Sequence, residues 1–243
     1  TSDGGATYVE LAKLTASDAA SYDYFGVSVA IDGATIVIGA YEYDTSGTGK
    51  VYVFHTSDGG ATYVQVYRLT AADAASYDRF GNSVAINGAT VVVGSYYDDD
   101  AGSSSGSVYV FDANAPTSQP TSSQPTFWPT TSKPTFRPTR LPTPQPTTSQ
   151  PTTNLNYLEV AKLTASDAYG GDYFGVSVAI DGNTIVVGAN FENSRRGAAY
   201  VFRTLDGGAT YVELAKLTAS DAASYDYFGV SVAIAGNTIV IGA

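Results

Sequence analysis

Residues Leu14–Gly39 read LTASDAASYDYFGVSVAIDGATIVIG, and close copies of this unit begin at Leu69, Leu163 and Leu217. The copies share an aspartate pair, a Phe-Gly step and two short apolar runs. Their Phe-Gly steps are Phe25-Gly26, Phe80-Gly81, Phe174-Gly175 and Phe228-Gly229. Self-similarity of this kind marks a modular fold, in which each copy buries its apolar faces against the next.

Each copy predicts four strands. Strand A is FGVSVAI, Phe25–Ile31 in the first copy, with Phe25, Val27, Val29 and Ile31 on one face and Gly26, Ser28 and Ala30 on the other. One face is bulky and the other small, so both can lie against neighbouring sheets. Strand B, Thr35–Ala40, is almost continuously apolar, as a strand covered on both faces should be. Strand C is VYVF at Val51–Phe54 and Val108–Phe111, with Ala199–Phe202 as its third copy. Strand D, Tyr8–Leu14 or Tyr63–Leu69, mixes polar and apolar residues and suits an outer edge. Asp32-Gly33, Asn87-Gly88 and Asp181-Gly182 between A and B favour a two-residue hairpin turn. The C–D connections carry Asp58 and Asp206 in DGG turns. The sum is an all-β chain of four-stranded antiparallel meanders, each about 55 residues long and each a β-propeller blade. About 3.7 blades are present.

All ten prolines fall between Pro116 and Pro151, in a Pro/Thr/Ser-rich tract that also holds the only tryptophan, Trp128. Proline fixes φ and removes backbone donors, so this tract is expected to be an extended, disordered interruption. Its composition also suits O-glycosylation. The expected organisation is blades over 1–112, a linker over 113–154 and further blades over 155–243. Three arrangements fit: most of a four-bladed ring, part of one larger ring, or parts of two rings joined by the tract. The tract's length favours the third.

The net charge is −11, and the repeats hold all 23 acidic residues but only 9 of the 12 basic ones. Such a surface opposes nucleic-acid binding, which needs phosphate neutralisation. No apolar run is long enough to span a membrane, so no membrane insertion is expected. Without cysteine there is neither a disulfide framework nor a thiolate metal site. The chain starts at Thr1 and stops at Ala243 in mid-repeat, as an excerpt of a longer protein would.

The run FGxSVAI, then VxGA, then GxVYVF resembles the FG-GAP repeat, the blade motif of integrin α-subunit β-propellers. A closer likeness is to the variant with LTASD upstream of Phe-Gly, found in many secreted and cell-surface repeat proteins. The resemblance covers nearly all of the chain outside the proline tract. It implies a propeller and an extracellular or cell-surface location. Calcium-binding integrin blades carry a DxDxDG loop between strands A and B. Here that connection is a tight turn with no room for an oxygen cage, so the integrin-type calcium site transfers to no residue of this chain.

Meander topology gathers the B–C and D–A loops on one face and the A–B and C–D turns on the other. Aspartates collect on the first face. Each D–A loop has two, five residues apart: Asp18 and Asp23, Asp73 and Asp78, Asp167 and Asp172, Asp221 and Asp226. The B–C loops add Glu42, Asp44, Asp98, Asp99, Asp100 and Glu192. Converging carboxylates and carbonyls could hold Ca2+, and the eight paired aspartates are the candidate ligands. The competing reading is that they cap turns. Residues 1–40 and 204–243 differ at only three positions, so recurrence alone decides neither. Loop tyrosines, including Tyr22 and Tyr24, share that face. Tyr41, Tyr43, Tyr96 and Tyr97, with Asp98, Asp99 and Asp100, are the candidate residues for contact with an extracellular protein or glycan.

The inventory for catalysis is poor. His55 is the only histidine, at the end of a C strand on the other face. The carboxylate pairs are equivalent, and nothing singles one out for acid–base work. The expected role is non-enzymatic binding or adhesion through the B–C and D–A face. The alternatives are a structural wall or matrix repeat without a specific ligand, and a non-catalytic part of a larger secreted enzyme.

Overall fold

The computed structural model of the protein describes residues 9–41, 47–115 and 156–243. Its strands form antiparallel meanders in chain order. The first blade is β1 (Ser28–Asp32), β2 (Thr35–Ala40), β3 (Lys50–His55) and β4 (Val64–Leu69). The second is β5 (Ser83–Asn87), β6 (Thr90–Ser95), β7 (Ser107–Asp112) and β8 (Leu158–Leu163). The third is β9 (Phe174–Asp181), β10 (Thr184–Ala189), β11 (Ala198–Arg203) and β12 (Val212–Leu217). A fourth begins with β13 (Ser231–Ala235) and β14 (Thr238–Gly242). These are propeller blades, stacked so that β1 meets β5, β5 meets β9 and β9 meets β13.

The proline tract does not join two rings. Strand β8, which follows it, pairs with β7, which precedes it, from Val108 opposite Leu163 to Asp112 opposite Leu158. The tract is thus inserted between strands C and D of one blade. The expectation of two rings took tract length for separation, but β7 needed an edge partner and the next D strand supplies it. Contacts to the first blade lock the join: the Tyr67 hydroxyl donates to Asn156 Oδ1 at 2.6 Å, and Glu159 accepts the Ala72 N–H at 2.9 Å. The expected disorder of the tract falls on residues outside the described ones.

Each blade is pinned by its Phe. Phe80 is fully buried, edge-on to Tyr109 at 5.5 Å and to Phe111 at 6.0 Å. Phe174 repeats this with Tyr200 and Phe202, and Phe25 with Tyr52 and Phe54. Edge-on pairs of this kind add about 0.5–1.5 kcal/mol each beyond burial. The following glycine is not part of the strand. Gly26, Gly81 and Gly229 sit at φ +92°, +91° and +92°, so strand A starts at Ser28, Ser83 and Ser231 rather than at Phe. Only β9 incorporates the Phe-Gly step, through a register shift opposite Gly188 and Ala189.

Blades meet through small residues. Ser28 Oγ donates to the Gly81 carbonyl, Ser83 to Gly175 and Ser177 to Gly229, each at 2.8 Å. A methyl on Gly39, Gly94 or Gly188 would overlap those same carbonyls. The bulky face of strand A turns the other way, toward the preceding blade, where Val84 and Ile86 join the apolar core around Val37 and Val53. Val29 and Ile31, the matching residues of β1, are exposed. The expected first D strand is absent among described residues 9–14, and Val9 and Leu11 there are exposed. A D strand needs a C strand beside it, and among the described residues none pairs with this segment.

Candidate ligand-binding face

The two aspartates of each D–A loop do different jobs. The first meets a Tyr hydroxyl from strand C and a cation from strand D. Asp18 accepts from Tyr52 at 2.8 Å and Arg68 at 2.7 Å. Asp73 accepts from Tyr109 at 2.7 Å and Lys162 at 2.6 Å, and Asp167 from Tyr200 at 2.8 Å and Lys216 at 2.6 Å. The second aspartate turns inward and accepts the N–H of the residue three before it. These bonds are Ala20 to Asp23, Ala75 to Asp78, Tyr169 to Asp172 and Ala223 to Asp226. Asp221 belongs to the fourth blade, of which the described residues include β13 and β14 but no C or D strand.

Opposite electrostatics follow. For Asp18, the Tyr52 hydroxyl bond leads in holding the carboxyl below its usual range. For Asp73 and Asp167, burial pushes upward, but the lysine and tyrosine bonds outweigh it and the net shift is downward. Asp78 is pushed up to about 6, chiefly by burial, with repulsion from Asp98 and Asp99 adding to it. Asp172 is raised for the same leading reason. The tyrosines Tyr52, Tyr109 and Tyr200 are all raised, first by burial and then by the carboxylates they serve.

The densest acidic cluster is Asp73, Asp98 and Asp100, whose carboxylate oxygens lie within 4.8 Å of one another. Lys162 Nζ reaches all three, at 2.6, 3.0 and 2.5 Å. Burial would lower the lysine's pKa, but the three carboxylates hold it above the ordinary value. An ammonium group therefore occupies the position a metal ion would take. Asp98, almost fully buried, also accepts from Tyr109 and from Ser107. In the third blade Glu192 shares Lys216 with Asp167. Glu42, Tyr43 and Asp44 lie outside the described residues.

An aromatic row crosses the blades on this face. Tyr24 stacks on Tyr41 at 5.1 Å. The Arg79 guanidinium lies over Tyr41 at 5.4 Å, Tyr97 at 4.3 Å and Tyr96 at 5.4 Å, and donates to the Tyr96 hydroxyl. Tyr96 and Tyr97 meet Tyr173, which packs on Phe191 at 4.4 Å, and Phe191 reaches Tyr227 at 5.3 Å. Tyr24, Arg79, Tyr173 and Tyr227 are the residues immediately before Phe, and all are left-handed, with φ of 49°, 57°, 60° and 58°. Tyr22, Tyr77 and Tyr225, two residues earlier, are left-handed as well and exposed. Non-glycine residues enter this region at a cost and concentrate where function requires it.

The other face is closed. Each A–B turn accepts the glycine N–H of the next: Gly88 to Asp32 at 2.6 Å, Gly182 to Asn87 at 3.2 Å and Gly236 to Asp181 at 2.5 Å. In the C–D turns Asp58 binds Thr56 and Thr62, and Asp206 binds Thr204 and Thr210. His55 shares a 3.3 Å contact with Thr35 there.

Of the candidate contact residues, Tyr41, Tyr96 and Tyr97 come together around Arg79, Asp98 is buried, Asp100 is tied to Lys162, and Asp99 is exposed. Sequence reading passed over Arg79, Lys162 and Phe191. Arg79 was legible as the one cation at a position held by tyrosine in the other three copies.

Among the described residues no helix is long and apolar enough to cross a membrane, which does not address β-barrel spans. The FG-GAP repeat family model matches residues 8–54, 63–111, 157–202 and 211–243. A search of curated proteins by sequence gives no match. Among solved structures, the chain is similar to Sqt1 of Saccharomyces cerevisiae, with 7% identity and a TM-score of 0.44 over 83% of this chain and 37% of that one. It is also similar to a europium-containing methanol dehydrogenase, with 10% identity and a TM-score of 0.37 over 75% of this chain and 23% of that one. The chain thus spans well under half of either.

Proposed function

Because the chain belongs to the FG-GAP repeat family, we propose that it is an extracellular, non-enzymatic binding module whose B–C and D–A loops meet a protein or glycan ligand. The observation that carries this is where the copies differ. On the A–B and C–D face, successive A–B turns are joined by the same side-chain-to-backbone bond, and the C–D turns of the first and third blades repeat the same aspartate–threonine bonds. On the other face the copies diverge: Arg79 replaces tyrosine, residues 96–106 form a longer loop, and Glu192–Arg195 forms a turn that is left-handed at Asn193, Ser194 and Arg195. A structural repeat without a ligand needs only the conserved bonds; apart from the tract inserted in the second blade's C–D connection, the side-chain divergence gathers on the B–C and D–A face, and that favours recognition there.

The near-identity of residues 1–40 and 204–243 favours a second reading, a wall or matrix repeat whose copies serve as spacers. Arrays of glycans and extracellular proteins separate the two. Binding that weakens when Tyr77 and Asp99 are both changed to Ala supports recognition. Silence across both arrays leaves the spacer reading. Asp98 is the wrong residue for that test, since its burial makes any substitution a folding defect.

A further inference from the structure

We propose that the cavity between the two loops of the second blade is a site for one ring of a neutral saccharide; this rests on the binding reading above and names its ligand class. The cavity measures about 250 Å3 and is lined by Tyr77, Asp78, Arg79, Tyr97, Asp99 and Ser104, among others. That is slightly below the roughly 300–1,000 Å3 of ordinary small-molecule sites, so it admits one ring rather than a peptide segment.

Three observations converge on it. First, it is where the repeat symmetry breaks. Arg79 stands where the other copies have Tyr24, Tyr173 and Tyr227, and the B–C connection at 96–106 is longer than 41–49 or 190–197. Second, three of its lining residues are left-handed: Tyr77 at φ 76°, Arg79 at 57° and Ser104 at 51°. The strain holds because the walls are tied. Tyr97 N–H donates to the Asp78 carbonyl at 3.3 Å, Gly171 N–H to Ser103 at 2.8 Å and Tyr173 N–H to Ser104 at 3.3 Å. Third, the lining chemistry is mixed. Arg79, the exposed Asp99, two tyrosines and several serines line it, while the Asp78 carboxylate is turned inward to the Ala75 N–H. A free anion would meet Asp99, and a free cation would meet Arg79. Vicinal hydroxyls satisfy both, since they accept from a guanidinium and donate to a carboxylate. The tyrosines offer rigid, amphipathic faces at low entropic cost. Arg79 is already held by its three aromatic neighbours, so its ordering is complete before a ligand arrives.

The test is saturation-transfer NMR with glucose, galactose, mannose and N-acetylglucosamine, and with glucuronate and glucosamine as charged rings. Arg79→Tyr restores the residue of the sister repeats and so keeps the fold; Tyr225→Ala alters the same face elsewhere. At least one neutral sugar should give transfer, and its affinity should fall about tenfold in Arg79→Tyr and stay constant in Tyr225→Ala. No transfer from any neutral sugar, equal transfer in Arg79→Tyr, or a preference for a charged ring overturns the proposal. The arrays separate this from the broader reading. A protein or glycan bound equally by Arg79→Tyr overturns the saccharide pocket and leaves the binding face standing, whereas silence in both experiments overturns both.

Discussion

The two loop faces of these blades come from the same repeats and are built by opposite rules. On the A–B and C–D face, aspartate, asparagine and threonine side chains close turns, and the A–B bond passes unchanged from one turn to the next. On the B–C and D–A face, carboxylates bond to a tyrosine of strand C and a cation of strand D, and the cation is arginine in one blade and lysine in the next two. One face spends its polar groups on closing turns. The other holds charge in networks that tolerate replacement of their members, and that tolerance lets one blade diverge while the fold persists.

The comparison can be broken at its foundation. Both faces hang from the same blade contacts, so Gly94→Ala, which pushes a methyl into the Gly175 carbonyl, should cost about 5 kcal/mol and disorder the two together. A denaturant titration in which one face's amides lose exchange protection and the other's do not would show that they are independent. Next comes the network face. Lys162→Met strands the buried Asp98 beside Asp73 and Asp100, and should cost about 3 kcal/mol at neutral pH. Added Ca2+ should restore part of that loss, while the wild-type melting temperature ignores Ca2+ and chelator alike. A wild-type melt that rises with Ca2+ would mean the ion, not the ammonium, belongs there.

A smaller effect separates the aspartates within one loop. Asp78, raised to about 6, contributes stability below the unfolded value near 3.8 that is lost as pH climbs through 6. Asp73, lowered, contributes stability above 3.8 that is lost as pH falls through its folded value. Asp78→Asn keeps an acceptor for the Ala75 N–H and removes the charge. It should therefore raise the melting temperature more at pH 7.5 than at pH 4, and equal shifts at both would contradict the assignment. The smallest change is expected on the closed face. Asp206→Ala removes one exposed turn cap, and it should shift the melt less than any other variant here.

What the sequence shows plainly is whatever lies close along the chain. Strand types, the two-residue A–B turns, the buried Phe and the close approach allowed by glycine are all local patterns. What it hides is pairing at a distance. Each D strand ends in a cation five residues before an aspartate, as with Arg68 and Asp73 or Lys162 and Asp167, and the natural guess pairs those neighbours. The meander instead brings each cation to the aspartate one repeat earlier: Arg68 to Asp18, Lys162 to Asp73 and Lys216 to Asp167. The same blindness made the proline tract look like a boundary, because only the register of β7 on β8 shows that it lies inside a blade. The aspartate pair looked like one ligand set until the loop backbone turned one carboxylate inward to cap and the other outward to the cation.

That register has a mechanical consequence. The tract leaves from Asp112 and returns at Leu158, which face each other across two hydrogen-bonded strands. Tension applied along the whole chain is borne by β7 and β8, and the covalent length between them carries none. Cutting the chain within the tract should leave both fragments clasped in one particle of unchanged sedimentation. Pulling hard enough to unzip the pair should release about 150 Å of contour in one step. The blade acts as a buckle on its own slack.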